Sequence, residues 1–430
     1  MKQVFLVLIL NYLNLIYPQQ SFEDFMLQEQ QAFDHYKESV TKDYDSFKES
    51  EKVLFEKFKK DVEMQWEEFK GSTSKKYVSY DNDLQTRSEI DYDNGEILIE
   101  VILDNDRQEG DGLNYFNKPS KAPYYFGFFG ESLLGNYLFI FHSSYYAFFQ
   151  TAGHVRNELD ATKTKPVFNK LADSKIIKKL VSLLKESDDN GNGILDGQLA
   201  NNNGDIISSD NAELFAKEKL KDDLKDVNNY TAKDGKKRTS FSFKLKLKPD
   251  HKVTRFNKYQ NEIVKQANRF NVDPAIAMAI TEAESSFNPK ATSHIPAYGL
   301  MQLVPESGAR DAYHYIYKKD IFLEKKYLYK PSNNIELGCA YLAKIRYSYF
   351  KTIRDDEKAF MCTIAAYNTG VGNVAKALTD RTKLKPASRK ANNMSSEKLY
   401  KTLLSDLEYE ETRKYLKRVW TLKDKYSGIG

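Results

Sequence analysis

Glu284 is the carboxylate in this sequence best placed to do chemistry. Pro274 reads as a first helical residue, and Ile276, Ile280 and Glu284 then follow at i, i+4 and i+8 on one face. An acid on an apolar stripe is desolvated, which disfavours its charged form, so it can hold a proton near neutrality as a general acid must. Glu282 falls about 160° round the same helix, beside Ala275 and Ala279, and is expected to be a solvated neighbour. Asn288-Pro289-Lys290 stops the helix, and Gly299-Leu300-Met301-Gln302 returns a close-packing glycine and an amide toward the same region. The competing reading of Glu284 is a helix-end charge without chemistry. No second catalytic carboxylate is evident: Glu306 and Asp311 follow Pro305 and read as helix-start acids. On residue type alone, Tyr367 and Tyr415 read as packing tyrosines on helices.

The elements that must position Glu284 lie in residues 251–430, where the pattern is helical throughout, with segments at 257–270, 273–286, 334–350 and 356–367. Ahead of this all-α region, residues 71–250 have a mixed α/β character. Thr86 to Leu103 reads as a hairpin around an Asp93-Asn94-Gly95 turn, and Phe241, Phe243, Leu245 and Leu247 alternate as a further strand of the same sheet. Ser174 to Glu186 reads as a helix. Asp188 to Asp196 has the look of a calcium loop, but Leu199 stands where a bidentate Glu is needed, so no metal is assigned. Residues 21–70 carry aromatic pairs at Phe22/Phe25, Phe33/Tyr36, Tyr44/Phe47, Phe55/Phe58 and Trp66/Phe69, each offset by eleven residues. That period of about 3.67 residues per turn predicts one aromatic stripe along an almost straight helix, packed on protein or lying on a membrane surface. Tyr124 to Phe149 is crowded with aromatics in short interrupted runs, readable as a buried insertion, a sugar platform or a membrane-dipping loop. The predicted fold class is α+β: a long N-terminal helix, a small mixed domain and a C-terminal all-α domain.

Across the 430 residues, 65 Lys and Arg stand against 61 Asp and Glu, interspersed rather than clustered, which excludes a nucleic-acid footprint. Residues 1–20 place Lys2 before an apolar run from Val4 to Ile16, too short to span a bilayer and arranged like a signal peptide. Export to the periplasm or cell envelope is expected. No cysteine lies near Gln20, so a lipid anchor is not supported. Cys339 and Cys362, the two cysteines, fit either one disulfide or two buried thiols on neighbouring helices, and with six scattered histidines they offer no zinc spacing. No cofactor is expected.

Four motifs in order carry a family resemblance: Glu284-Ser285 with Phe287-Asn288-Pro289, then Gly299-Leu300-Met301-Gln302, then Ala366-Tyr367-Asn368-Thr369-Gly370, then Glu411-Thr412-Arg413-Lys414-Tyr415. Together they resemble soluble-lytic-transglycosylase domains. Trp66, the hairpin, the Gly193-Ile194-Leu195-Asp196-Gly197-Gln198 segment and Leu328 to Ala343 also resemble the membrane-bound lytic murein transglycosylases. The resemblance implies a goose-lysozyme-like fold that cleaves the β-1,4 bond between N-acetylmuramic acid and N-acetylglucosamine in peptidoglycan glycan strands, leaving 1,6-anhydro ends. It implies Glu284 as the acid and then the base, Ser293 as a hydrogen-bond partner of Glu284 or of the substrate acetamide, Met301 and Gln302 as cleft lining, Tyr367 and Asn368 as positioning groups, and Tyr415 as closing the site. The alternatives are a lysozyme-type hydrolase, which needs a second carboxylate, and a non-catalytic peptidoglycan-binding scaffold. Those membrane-bound relatives are lipoproteins, and without the lipidation cysteine a peripheral membrane contact through the aromatic helix or insertion stays open.

Overall fold

A computed structural model describes residues 22–105, 161–188, 191–222, 226–293 and 296–429. The apolar start, the aromatic segment 124–149 and His294-Ile295 lie outside the described residues. The chain divides into two compact units, Met1–Val62 and Glu63–Gly430. The described residues of the first lie in one long helix, α1 (Phe22–Gln65), whose 44 residues correspond to about 66 Å at 1.5 Å per residue. Among the described residues no helix is long and apolar enough to cross a membrane.

The eleven-residue stripe does not run to its expected end. Trp66 and Phe69 lie beyond the helix and join the sheet. The buried Trp66 indole N–H donates to the Leu84 carbonyl at 2.6 Å, and Phe69 stacks on Tyr80 with centroids 6.4 Å apart. The Arg87 guanidinium lies 4.0 Å over the Trp66 ring and forks onto Glu100, satisfying a buried charge on the same face. These tertiary bonds outweigh the helical period.

The strands are β1 (Lys76–Tyr80), β2 (Thr86–Asp91) and β3 (Glu96–Asp104), followed by α2 (Ala161–Leu184), α3 (Ala212–Asp222), β4 (Asp226–Thr231) and β5 (Lys237–Lys246). The described strands form one antiparallel sheet in the order β1-β2-β3-β5-β4. The predicted hairpin is β2–β3 and the predicted further strand is β5, with Ile97, Ile99 and Val101 facing Leu245, Phe243 and Phe241. These alternate residues present one apolar face to Ile176, Leu180 and Leu183 of α2 and Phe215 of α3. In the loop read for calcium, Asp188 and Asp196 accept from the backbone N–H groups of Asn192 and Gly193.

The helical region comprises α4 (His251–Arg269), α5 (Pro274–Ser285), α6 (Arg310–Tyr317), α7 (Lys325–Tyr329), α8 (Pro331–Lys344), α9 (Asp356–Thr369), α10 (Val371–Thr379), α11 (Leu384–Asn392), α12 (Ser396–Asp406) and α13 (Glu410–Lys425). With the sheet it makes the α+β class expected. Its core is continuous around α5, whose Ala275, Ala277, Ala279 and Ala283 allow the close approach of α4 and α13. A widened turn at Ile345–Tyr349 prolongs α8, which the sequence reads as one longer helix. Cys339 on α8 and Cys362 on α9 are buried free thiols, and burial pushes Cys362 up to about 12.

Candidate active site

Helix α5 starts as its sequence predicts: Pro274 occupies the first turn, and the Asp273 carboxylate accepts the Ala275 N–H at 2.8 Å. It ends abruptly, because Ser286 and Phe287 both take left-handed backbone angles, at φ 51° and 60°. Such turns cost about 1–2 kcal/mol each for residues other than glycine. Burial of Phe287 against Phe256 and Tyr426 offsets that cost. The Ser285 hydroxyl donates to the Leu300 carbonyl at 2.7 Å, so the residue after Glu284 fastens the helix end to the returning loop.

Asn334, fully buried at the start of α8, holds that loop. Its Oδ1 accepts the Met301 N–H at 2.7 Å, and its Nδ2 donates to the Tyr298 and Leu328 carbonyls at 2.8 Å each. Gly299, at φ 77°, fits only without a side chain, since a Cβ there would lie 2.4 Å from Asn334 Nδ2 and from the Leu328 carbonyl oxygen. Gly338 on α8 leaves the space taken by the Met301 thioether. Replacing Asn334 by Ala, which strands buried groups on three sides, is expected to cost about 2–4 kcal/mol and to lower cleavage at low substrate more than at saturation. Thermal unfolding and substrate titration check it.

Glu284 is half-buried near the end of α5, facing Tyr415 of α13 and Tyr367 of α9. Burial is the main force raising its carboxyl, up to about 7; the Tyr415 hydroxyl and the Lys75 and Arg418 charges oppose that rise, and the Glu411 carboxylate adds to it. Tyr367 donates its hydroxyl to the Met301 carbonyl at 2.8 Å, joining α9 to the loop, and burial followed by the Glu284 charge raises its own titration. The Tyr415 hydroxyl is buried without a hydrogen-bond partner of ordinary geometry, although electrostatically it is tied to Glu284. An unspent hydroxyl beside a half-open carboxyl is suited to a bond made when substrate enters.

The remaining candidates are less close to Glu284 in their bonding. Gln302, nearly buried at φ 47°, donates its amide to the Gly299 carbonyl at 3.0 Å. Asn368 is exposed, and its Oδ1 accepts the Thr412 hydroxyl at 2.7 Å, linking α9 to α13. The Ser293 Oγ accepts the Ala297 N–H at 3.2 Å and so closes its own loop.

Glu282 is the residue the sequence misplaces. It is buried, not solvated, and its carboxylate accepts from Lys425 at 2.8 Å and from the Tyr426 hydroxyl. These two donors hold its carboxyl below the usual value against the cost of burial. The error has a physical cause: α5 is wrapped on all sides, so helical period does not separate a wet face from a dry one. Sequence reading also missed Lys75, Asn334, Glu411 and Arg418 as neighbours of the site. Glu411 alone carried a signal, lying within the last quoted motif one helical turn before Tyr415.

Two regions of the chain are similar to known protein families. Residues 261–389 match the Transglycosylase SLT domain, and residues 37–110 match the N-terminal domain of membrane-bound lytic murein transglycosylase C. In these two regions the chain is similar to lytic murein transglycosylases. It is 29% identical over 354 residues to membrane-bound lytic murein transglycosylase C of Klebsiella pneumoniae, covering 82% of each chain. It is 35% identical over 228 residues to the Haemophilus ducreyi protein of the same name, covering 52% of this chain and 59% of that one. Among solved structures it is similar to the lytic transglycosylase Slt of Pseudomonas aeruginosa at 29% identity, with a TM-score of 0.30 over 39% of this chain and 24% of that one.

Proposed function

We propose that this enzyme cleaves the β-1,4 bond between N-acetylmuramic acid and N-acetylglucosamine in peptidoglycan, with Glu284 as acid and base in turn. The observation that carries the reading is a single half-open carboxyl, raised by burial, between two tyrosine hydroxyls. Protonated Glu284 gives its proton to the glycosidic oxygen as the bond from C1 breaks. The muramyl C6 hydroxyl oxygen bonds to C1, and its proton returns to the Glu284 carboxylate. Atoms balance without water, and the product is a 1,6-anhydro end.

Tyr415 orients the carboxyl, Tyr367 fixes the Met301 carbonyl, and Gln302 borders the sugar path; Met301, expected to line the cleft, is instead wholly buried against Gly338 and supports the loop from behind. Ser293 and Asn368 meet substrate at the mouth rather than touching Glu284. Glu282 is spent on Lys425 and Tyr426, so it is poorly placed to serve as the base of a hydrolase. Residues 1–20 act as an export signal, which places the enzyme in the cell envelope; peripheral membrane contact belongs to the same proposal.

Mass spectrometry of fragments released from purified peptidoglycan tests the chemistry. Products about 18 Da lighter than hydrolysed ends, the mass of one water, are expected when the substrate supplies its own nucleophile. Hydrated ends would make it a lysozyme-type hydrolase, with Glu411 the first base to test. A folded protein that releases nothing would be a binding scaffold.

A further inference from the structure

Lys75 stands in the bend before β1, in the sheet region, yet it reaches the end of α5. Its ammonium donates to the Glu282 carbonyl at 2.9 Å and to the Ala283 carbonyl at 2.5 Å, across a sequence separation of more than 200 residues. The helix C-terminus is the negative end of the helix dipole, so two carbonyls there favour a cation. Lys75 is not a loose arm: its own carbonyl accepts the Tyr92 N–H at 2.9 Å, which pins it to the end of β2. From this anchor its charge faces the Glu284 carboxyl, the next residue along α5.

We propose that Lys75 is a positioning residue for Glu284: an ammonium delivered by the sheet region to the last turn of α5, where it steadies the carboxylate that forms once Glu284 has given up its proton. The inference rests on the acid–base reading of Glu284. It also gives the sheet region a part in the chemistry, because the charge reaches the carboxyl only while that region is docked.

The other charges around the pair are accounted for. On α13, Arg418 repels Lys75 and attracts the Glu284 carboxylate, while Glu411 repels that carboxylate. On α5, Glu282 attracts Lys75 but is already paired with Lys425. At the β2–β3 turn, Asp93 attracts Lys75 while held by Lys252 at 3.0 Å, by the Ser286 hydroxyl at 3.1 Å and by Arg418 at 3.7 Å. Tyr367 and Tyr415 face the carboxyl as neutral phenols. Among these described residues, Lys75 is thus the cation on this carboxyl that comes from outside the helical region. Burial pulls the Lys75 ammonium down to about 7, the value to which burial raises Glu284, so the two groups titrate as a pair near neutrality, and the ammonium is held in place by the two carbonyls and by the carboxylate when that forms.

The test uses the full chain with Lys75→Gln, whose amide can still donate to the carbonyls without a charge, and Lys75→Arg, which restores the charge. The Glu284 carboxyl is followed by 13C NMR, assigned by its disappearance in Glu284→Gln, and the pH profile of kcat/KM is recorded in parallel. Removing the charge is expected to raise the Glu284 midpoint by about one pH unit, with a roughly tenfold loss of kcat, while Lys75→Arg returns both toward wild type. An unmoved midpoint in folded Lys75→Gln would overturn the proposal and leave Lys75 a mere clamp. If Lys75→Gln melts, a Lys75→Arg protein with wild-type midpoint and rate upholds the proposal, and one that folds with a shifted midpoint overturns it. The NMR midpoint needs no turnover, so a failure of the acid–base reading shows separately, as wild-type enzyme that releases no anhydro ends.

Discussion

Glu284→Gln is expected to lower peptidoglycan cleavage by about 10³-fold or more while leaving the fold intact, since general acid–base catalysis contributes roughly 10²–10⁴ and in the proposed mechanism this one group serves both steps. Glutamine keeps the shape and one acceptor for the Tyr415 hydroxyl but cannot carry the proton. Wild-type kcat/KM is expected to fall as pH rises through about 7, because the proposed mechanism starts from protonated Glu284. The effect of Glu284→Gln on stability is expected to have the opposite sign to its effect on activity. The folded carboxyl binds its proton more tightly than the unfolded one, so folding free energy is lost as pH rises from the ordinary value of 4.5 toward 7, and the loss is complete above that. Glu284→Gln removes this penalty. It should match wild type at pH 4 and exceed it at pH 8 by on the order of 1 kcal/mol, as sites poised for function often sacrifice stability. Residual activity near wild type, or equal melting of the two proteins at pH 8, would remove Glu284 from its role.

Much of this site was legible because its parts are local. The Pro274 start, the Ile276-Ile280-Glu284 row and the Asn288-Pro289 stop are short-range features, and they gave the helix within one residue at each end. The β2–β3 turn was equally plain from Asp93-Asn94-Gly95, where Gly95 takes φ 71°. What the sequence hid was long-range or hydrophobically ambiguous. Lys75 precedes a strand of ordinary alternation, and nothing near it signals a helix end more than 200 residues later. Asn334 reads as one more polar residue at a helix start, although its three bonds set the Gly299–Gln302 loop. Trp66 satisfied an eleven-residue period exclusive of any tertiary information, and the structure spends it on Leu84 and Arg87 instead. Periodicity reports which face is apolar; it does not report which neighbour covers a polar one.

The same reasoning makes Arg255 the second large effect, away from any reacting atom. Its guanidinium is almost wholly buried, yet its described partners include no carboxylate. Instead Nε donates to the Ser286 carbonyl at 2.9 Å, Nη2 to the Tyr92 carbonyl at 2.7 Å, and Nη1 to Gln198 Oε1 at 2.5 Å and His251 Nδ1 at 2.9 Å. One side chain therefore ties the left-handed turn after Glu284 to the end of β2 and to the loop holding Gln198. Burial pulls the guanidinium down to about 10, still charged at neutral pH. Burial, with Arg255 beside it, pulls His251 down to about 4, so the imidazole is neutral and can accept. Arg255→Met would fill much of the volume but leave two backbone carbonyls and the Gln198 amide oxygen buried without that donor. Breaking a buried network of this kind costs about 3–5 kcal/mol, and the cost is felt where Lys75 meets α5, because Tyr92 anchors both Arg255 and Lys75. The expected result is a lower unfolding midpoint, together with a loss of cleavage larger than the unfolded fraction explains. Arg255→Lys, which can reach only part of the set, should fall between. Cleavage that simply follows the folded fraction would mean that Arg255 supports the fold alone and leaves the Glu284 site unaffected.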